Sequence, residues 1–342
     1  MQEFSKYFDN WLYGEGGYYS NYKNIGKSGD FFTAVSTSSF FGGSIANKII
    51  KVIENGELPK DATIVEIGAH HGYLLSDIIQ FIYTLKPELL ETLKFAIVER
   101  FGHLQEAQKG YFKECFGDVI NLIHYDDISD VKLSSAFVVA NEIFDAFSCE
   151  LVYTKDAIVQ KAYVDETHKI SFRDCDDAAM LDFCKKYGVQ KGEYPLFYRE
   201  FANIMNENIS KFHFCTFDYG DIYTRNDYST RIYSKHKVFP IFEEGLNLAE
   251  LYQKSDITYD VPFSYLIDCY KDLGCEVEFR TQLQALVDFG IIDLLEILQK
   301  NTTQEHYLKE LNKVKLLLEP TGMGDRFKMV YVKKIGVLDV RL

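Results

Sequence analysis

The stretch Ala62-Thr63-Ile64-Val65-Glu66-Ile67-Gly68-Ala69-His70-His71-Gly72 decides how this chain folds. Its apolar run is continuous, as in a parallel strand buried on both faces. The run breaks at Gly68, and a helical pattern begins near Tyr73. A strand, a glycine turn and a helix in that order expose backbone at the carboxyl edge of an open sheet, where doubly wound folds hold their ligands. Two histidines stand in the turn, where a cofactor-binding turn is expected to carry glycine.

Working outward, the same signal repeats. After the predicted helix Leu74–Leu85 comes the run Phe95–Glu99, then Val119–His124 ending at Asp126-Asp127, then Ala136–Ala140 opening into Asn141-Glu142. Later runs are Phe212–Phe217 ending at Asp218-Tyr219-Gly220, Glu276–Phe279 followed by the helical Gln282–Asp288, and the terminal Phe327–Val332. Strands alternating with helices predict a largely parallel α/β sheet covered on both faces. Seven strands are expected, with the last entering antiparallel. Residues 1–60 read as an N-terminal arm with helices, and residues 61–150 and 211–335 as the core. Residues 151–210, with strand-like Leu151–Tyr153 and Ile158–Val164 and helical Phe197–Ile209, read as an insertion. Residues 221–260, rich in tyrosine and charge, read as a second, cap-like insertion.

Composition bounds the function. The chain has 342 residues, 47% of them hydrophobic, and a formal charge of −14, which opposes non-specific binding to nucleic acid and favours a basic protein or peptide partner. Its 27 Phe and 24 Tyr are dispersed, so they read as core and protein-contact residues. Seven cysteines without a Cys-x-x-Cys pair fit reduced, mostly buried thiols. The first residues show neither a signal-peptide core nor an arginine-rich presequence, and no apolar run approaches the ~20 residues of a membrane span. A cytoplasmic protein without membrane insertion is expected.

Gly26-Lys27-Ser28 lacks the upstream glycine and the preceding strand of a phosphate loop. The Gly-x-Gly-x-x-Gly fingerprint of nicotinamide sites is also absent, which counts against a dehydrogenase. The Glu-x-Gly spacing at Glu66–Gly68 instead suggests S-adenosylmethionine (SAM). That cofactor needs close backbone approach, supplied by Gly68 and Gly72, and an acid for its ribose hydroxyls, supplied by Glu99. Asp126 and Asp127 end the third strand, where an acid meets an adenine amino group. Glu142 and Asp145 follow the fourth, where they suit binding of a guanidinium and removal of its proton during methyl transfer. Adjacent His70 and His71 are expected to diverge, which disfavours a shared metal.

Taken together these segments resemble the MidA family of SAM-dependent methyltransferases, which includes a mitochondrial complex I assembly factor. The resemblance rests on Gly17-Tyr18-Tyr19, Gly29-Asp30-Phe31-Phe32-Thr33, Phe41-Gly42, Glu66-Ile67-Gly68 with Gly72 and Leu74, Val98-Glu99 with Gln105, and Ala140 through Ala146. It continues through Asp218-Tyr219-Gly220, Tyr233 with His236, Asp256-Ile257-Thr258, Gln282 with Gly290, and Met323 through Phe327. It implies a class I, Rossmann-like fold with SAM as cofactor, and arginine methylation of a protein partner such as a respiratory NADH dehydrogenase subunit. By that resemblance Gly29, Asp30, Thr33, Glu66, Gly68, Ala69, Gly72, Glu99 and Asp127 hold the cofactor. Asn141, Glu142 and Asp145 are catalytic, and Asp218, Tyr219, His236, Asp256 and Thr258 meet the substrate. The sequence departs from the family at His70, at Val35-Ser36 in place of Pro-Glu, and at Ser148 in place of proline. A histidine at position 70 costs little where φ stays negative, and histidine tolerates the left-handed region better than most residues. The loss of the glutamate at position 36 is expected to remove a candidate ligand. Those departures motivate the alternative of a lapsed homologue acting as an assembly or protein-binding factor.

Overall fold

The computed structural model describes residues 1–20 and 33–336. Gly29 and Asp30 lie outside the described residues. The chain forms two compact units, one built from residues 33–142, 201–218 and 270–336, the other from residues 1–20, 143–200 and 219–269. Of the segment 1–60, residues 1–20 thus fall in one unit and 33–60 in the other.

The first unit is an α/β, methyltransferase-like fold with a mixed sheet. Its strands are β1 (Thr63–Ile67), β2 (Lys94–Val98), β3 (Leu122–Tyr125), β4 (Leu133–Asn141), β5 (Ile209–Asp221), β6 (Glu276–Thr281) and β7 (Phe327–Lys334), in the spatial order β6-β7-β5-β4-β1-β2-β3. The pairs β1·β2, β2·β3, β1·β4 and β4·β5 are parallel, and β6·β7 is antiparallel. A strand of the second unit, Val261–Pro262, pairs in parallel with Gly220 and Asp221, the part of β5 that lies in that unit, beyond the seven strands read from the sequence. Gly220 makes that pairing feasible: a Cβ there would lie 2.2 Å from the Val261 carbonyl oxygen.

The continuous apolar runs are explained by burial on both faces. Ile64, Phe95, Ile97, Phe137, Val139, Cys215 and Phe217 join one core with helices α1 (Phe40–Glu54) and α2 (Tyr73–Leu85), while Val65, Ala96, Val138 and Phe214 are buried as well. Helix α3 (Gly102–Phe116) buries only Leu104, Gln108 and Phe112, a single narrow stripe at helical spacing. The third strand starts at Leu122, not Val119. Val119 is 86% exposed and belongs to the turn that follows Gly117.

The second unit is antiparallel. Strands Gln2–Glu3, Ile158–Val164, Cys149–Lys155 and Lys191–Pro195 pair in that order, with Ile170–Asp174 beside Ile158–Val164. A second sheet orders Lys237–Pro240, Arg231–Ser234 and Asp256–Thr258. Helix Phe4–Leu12 places Phe4, Tyr7, Phe8, Trp11 and Leu12 on one face, and all five are buried against Leu151, Ala162, Ile257 and Tyr259. The Trp11 indole N–H donates to the Ser255 carbonyl at 2.6 Å. All seven cysteines are free, with Cys115 exposed, Cys175 half-buried and the rest buried. Among the described residues, no helix is long and apolar enough to cross a membrane.

Candidate functional site

In the first unit the sequence-predicted residues gather at the carboxyl ends of β1 to β4. The backbone reverses sharply after β1, with positive φ at Gly68 (70°), His70 (48°) and Gly72 (79°). Gly68 N–H donates to the Val98 carbonyl at 3.2 Å, and Gly72 N–H to that of Ala69 at 2.7 Å. Gly72 starts α2, and a Cβ there would press to 2.9 Å from the Phe112 ring. At position 70 a non-glycine residue thus occupies the left-handed region, which histidine tolerates better than most residues. The two histidines do not diverge. Their rings meet edge to face at 4.0 Å, and His71 lies 5.3 Å from the Tyr73 ring. No cluster of potential metal ligands occurs among the described residues.

Glu66 reaches across the turn: its Oε2 accepts the Leu75 N–H at 3.0 Å, tying β1 to the first turn of α2. Burial pushes its carboxyl up to about 8, with Asp77 and Glu99 adding repulsion. Glu99, at the end of β2, is buried and accepts the Phe101 N–H at 3.0 Å. Burial raises its pKa, and the Phe101 N–H, Arg100 and Gln108 oppose that rise. Gln105 donates both to the Glu99 carbonyl at 2.7 Å and to Asp126 at 2.8 Å. Asp127 caps the short turn Ile128–Asp130, accepting the Ser129 N–H at 2.8 Å, and that bond lowers its pKa.

At the end of β4, Glu142 also takes a positive φ of 53°, its N–H donating to the Phe217 carbonyl at 2.8 Å. Asn141 Nδ2 donates to Glu142 Oε1 at 2.8 Å, and Asn141 Oδ1 is buried without a hydrogen bond. Asp218 is buried within β5, three residues before its end at Asp221. Thr33 caps the helix Ala34–Thr37. Its Oγ1 accepts the Ser36 N–H at 3.2 Å while Ser36 Oγ accepts the Thr33 N–H at 3.0 Å. Ser36 thus fills the place in the capping box usually held by Glu or Gln, so the departure at position 36 keeps a cap.

The second unit holds the remaining predicted residues. Asp145 is buried and accepts a hydrogen bond from the Tyr219 hydroxyl. Burial raises its carboxyl to about 6, against the pull of Tyr219 and Arg231. The Arg231 guanidinium lies 4.7 Å over the Tyr219 ring, donates to Asp260 at 2.6 Å and donates through Nε to the Tyr233 hydroxyl at 2.8 Å. Asp256 accepts the Tyr19 hydroxyl at 3.0 Å. Thr258 stands opposite Arg231 in the sheet, and Asp256 opposite Tyr233. His236 is not brought to them: it is exposed, in the hairpin turn with Lys235, both at positive φ. Ser148 is buried, and its hydroxyl donates to Asp9 at 3.3 Å.

A family model for S-adenosyl-L-methionine-dependent methyltransferases matches residues 44–280. The chain belongs to that family. A Drosophila melanogaster relative named "Protein arginine methyltransferase NDUFAF7 homolog, mitochondrial" is 23% identical over 350 residues, covering 92% of this chain and 77% of its own length. A Danio rerio relative, "Protein arginine methyltransferase NDUFAF7, mitochondrial", is 23% identical over 347 residues, with 92% and 79% covered. A Burkholderia thailandensis structure bound to S-adenosylhomocysteine (SAH) superposes with a TM-score of 0.83 at 20% identity, over 98% of this chain and 88% of that one. A second, from the same organism, gives 0.79 at 21% identity, again over 98% and 88%. These two likenesses show the fold.

The protein is a SAM-dependent methyltransferase, and its residues fit the cofactor. Asn141 Oδ1 is a buried acceptor without a donor, and Glu99 is a buried carboxylate on the same strand edge. SAM carries ribose hydroxyls and an ammonium, the donors such an edge lacks. Sequence reading missed Gln108, Arg231 and Asp260 of this methyltransferase. Gln108 was detectable as a polar residue on the Leu104/Phe112 stripe. Arg231 and Asp260 acquire their meaning only from contacts across the chain.

Proposed function

We propose that this methyltransferase transfers the SAM methyl group to an arginine side chain of a protein partner. The observation that carries the reading is the end of β4, in the same unit as the cofactor turn, where Asn141 Nδ2 donates to Glu142 Oε1 at 2.8 Å and Glu142 is held at a φ of 53°. Asp145, the other acid expected to be catalytic, is a buried carboxyl of the second unit raised to about 6. It is ionised at neutral pH, yet readier to take a proton than an exposed one. Bound SAM supplies an electrophilic methyl on a sulfonium. Glu142 would orient the acceptor nitrogen and receive its proton, with the Asn141 amide fixing the carboxylate that does so. Glu99 would accept from the ribose hydroxyls, with Gly68, Ala69 and Gly72 allowing close backbone approach and Glu66 holding the turn. Thr33 and Asp127 act beside them through their caps, and Asn141 and Glu142 through the end of β4. The substrate contacts expected of Asp256 and Thr258 are supported by their buried polar side chains.

The names of the two relatives support arginine as the acceptor, and the family resemblance points to a respiratory NADH dehydrogenase subunit as the partner. Incubation with methyl-labelled SAM and purified NADH dehydrogenase, read by peptide mass spectrometry, tests the reading. Methylarginine lost in Glu142→Gln, with SAH affinity kept, is the expected result. Methylation of another residue type, or none while SAH binds, overturns it. For the cofactor, Glu99→Ala should weaken SAH binding by ~1–3 kcal/mol through a lost charge-assisted hydrogen bond. Unchanged affinity in calorimetry would remove Glu99 from the site.

A further inference from the structure

We infer that Gln108 is a positioning residue of the cofactor turn, and that it is what allows a histidine at the glycine position 70. Gln108 lies on α3 and is fully buried. Its Nε2 donates to the His70 carbonyl at 2.7 Å, and its Oε1 meets His124 Nε2 on β3 at 2.9 Å. The carbonyl of His70 can only accept, so the amide orientation follows: Nε2 faces the turn, and Oε1 receives the His124 N–H. One side chain therefore spans the turn after β1 and the third strand, and also bears on the charge of Glu99.

The backbone explains why such a clamp is needed. A glycine enters the left-handed region freely, whereas a histidine at φ 48° does so against its Cβ. A donor fixed in the core and aimed at the His70 carbonyl favours the one peptide orientation that the turn requires. The His70 ring is drawn onto His71, edge to face, instead of being left without a partner. The function follows from the turn's geometry, because Gly68, Ala69 and Gly72 approach a cofactor only if the peptides between them hold their directions. The inference rests on the placement of the cofactor at this turn.

The test is a double-mutant cycle read by SAH calorimetry and by urea unfolding of the ligand-free protein. Gln108→Leu keeps volume and removes the clamp, so the Kd for SAH should rise about tenfold. In a His70→Gly background the same change should alter Kd by no more than about twofold, because glycine needs no clamp. The unfolding data should show the same coupling between positions 70 and 108. An equal penalty in both backgrounds overturns the inference, as does an unchanged Kd in Gln108→Leu when Glu99→Ala weakens binding. If Glu99→Ala is also silent, the cofactor placement fails and takes the inference with it. Should Gln108→Leu not fold, Gln108→Glu serves: it can still accept from His124 but has no donor for His70, so the same loss is expected.

Discussion

His70 and Gly72 meet the same backbone demand by different means. Both sit at positive φ, but only His70 has its carbonyl gripped from the core by Gln108. Gly72 has no such help, and its missing Cβ leaves room for the Phe112 ring. Gly72→Ala should therefore cost about 2 kcal/mol, combining left-handed strain with a contact that Phe112 must yield to. Urea unfolding measures it, and a change below about 0.5 kcal/mol would show that the turn relaxes without penalty. The sequence displayed the conflict at position 70 but not its resolution. The partner lies in another helix, and the sign of φ depends on that contact.

At the scale of elements, legibility followed burial. β1, β2 and β4 are buried on both faces, and their unbroken apolar runs stood out. β3 is only half-buried, so the apolar pair Val119-Ile120 in the preceding turn was read as part of it. The antiparallel sheets of the second unit gave weaker signals, because their partners come from residues 1–20, 143–200 and 219–269 together. Local chemistry hid one element entirely. The capping box at Thr33 and Ser36 was read as a missing ligand, although a serine at the third helical position completes the reciprocal bonds. Ser36→Ala should destabilise the protein by about 0.5–1 kcal/mol, whereas Ser36→Glu should keep stability within about 0.5 kcal/mol by restoring the usual partner. Denaturant midpoints decide it. An equal loss in both variants would mean that the hydroxyl acts elsewhere.

Across the whole molecule, the buried acids couple folding to pH in a direction the sequence's net charge only hinted at. Burial raises Glu66 to about 8, Asp77 to about 7 and Glu150 to about 7, although all three ionise near pH 4 in an unfolded chain. Between those values the folded state binds more protons than the unfolded one, so stability falls as pH rises. Three histidines act oppositely. Burial lowers His71, His124 and His213, the last to about 4, so the unfolded chain takes up protons first below about pH 6.5 and stability rises with pH there. Above about pH 7.5 those histidines are neutral in both states, and the carboxyl effect stands alone among these groups. Between about pH 6.5 and 7.5 it outweighs what remains of the opposing histidine effect. The melting temperature should therefore drop between pH 6.5 and 8.5, by an amount corresponding to on the order of 2–4 kcal/mol. Asp77 isolates the cause, since it lies on α2 with burial as the source of its shift. Asp77→Asn should make the decline shallower and raise the melting temperature at pH 8.5 more than at pH 6.5. Calorimetric scans of both proteins at the two pH values measure this, and parallel declines would assign the pH dependence to overall charge repulsion instead of buried carboxyls.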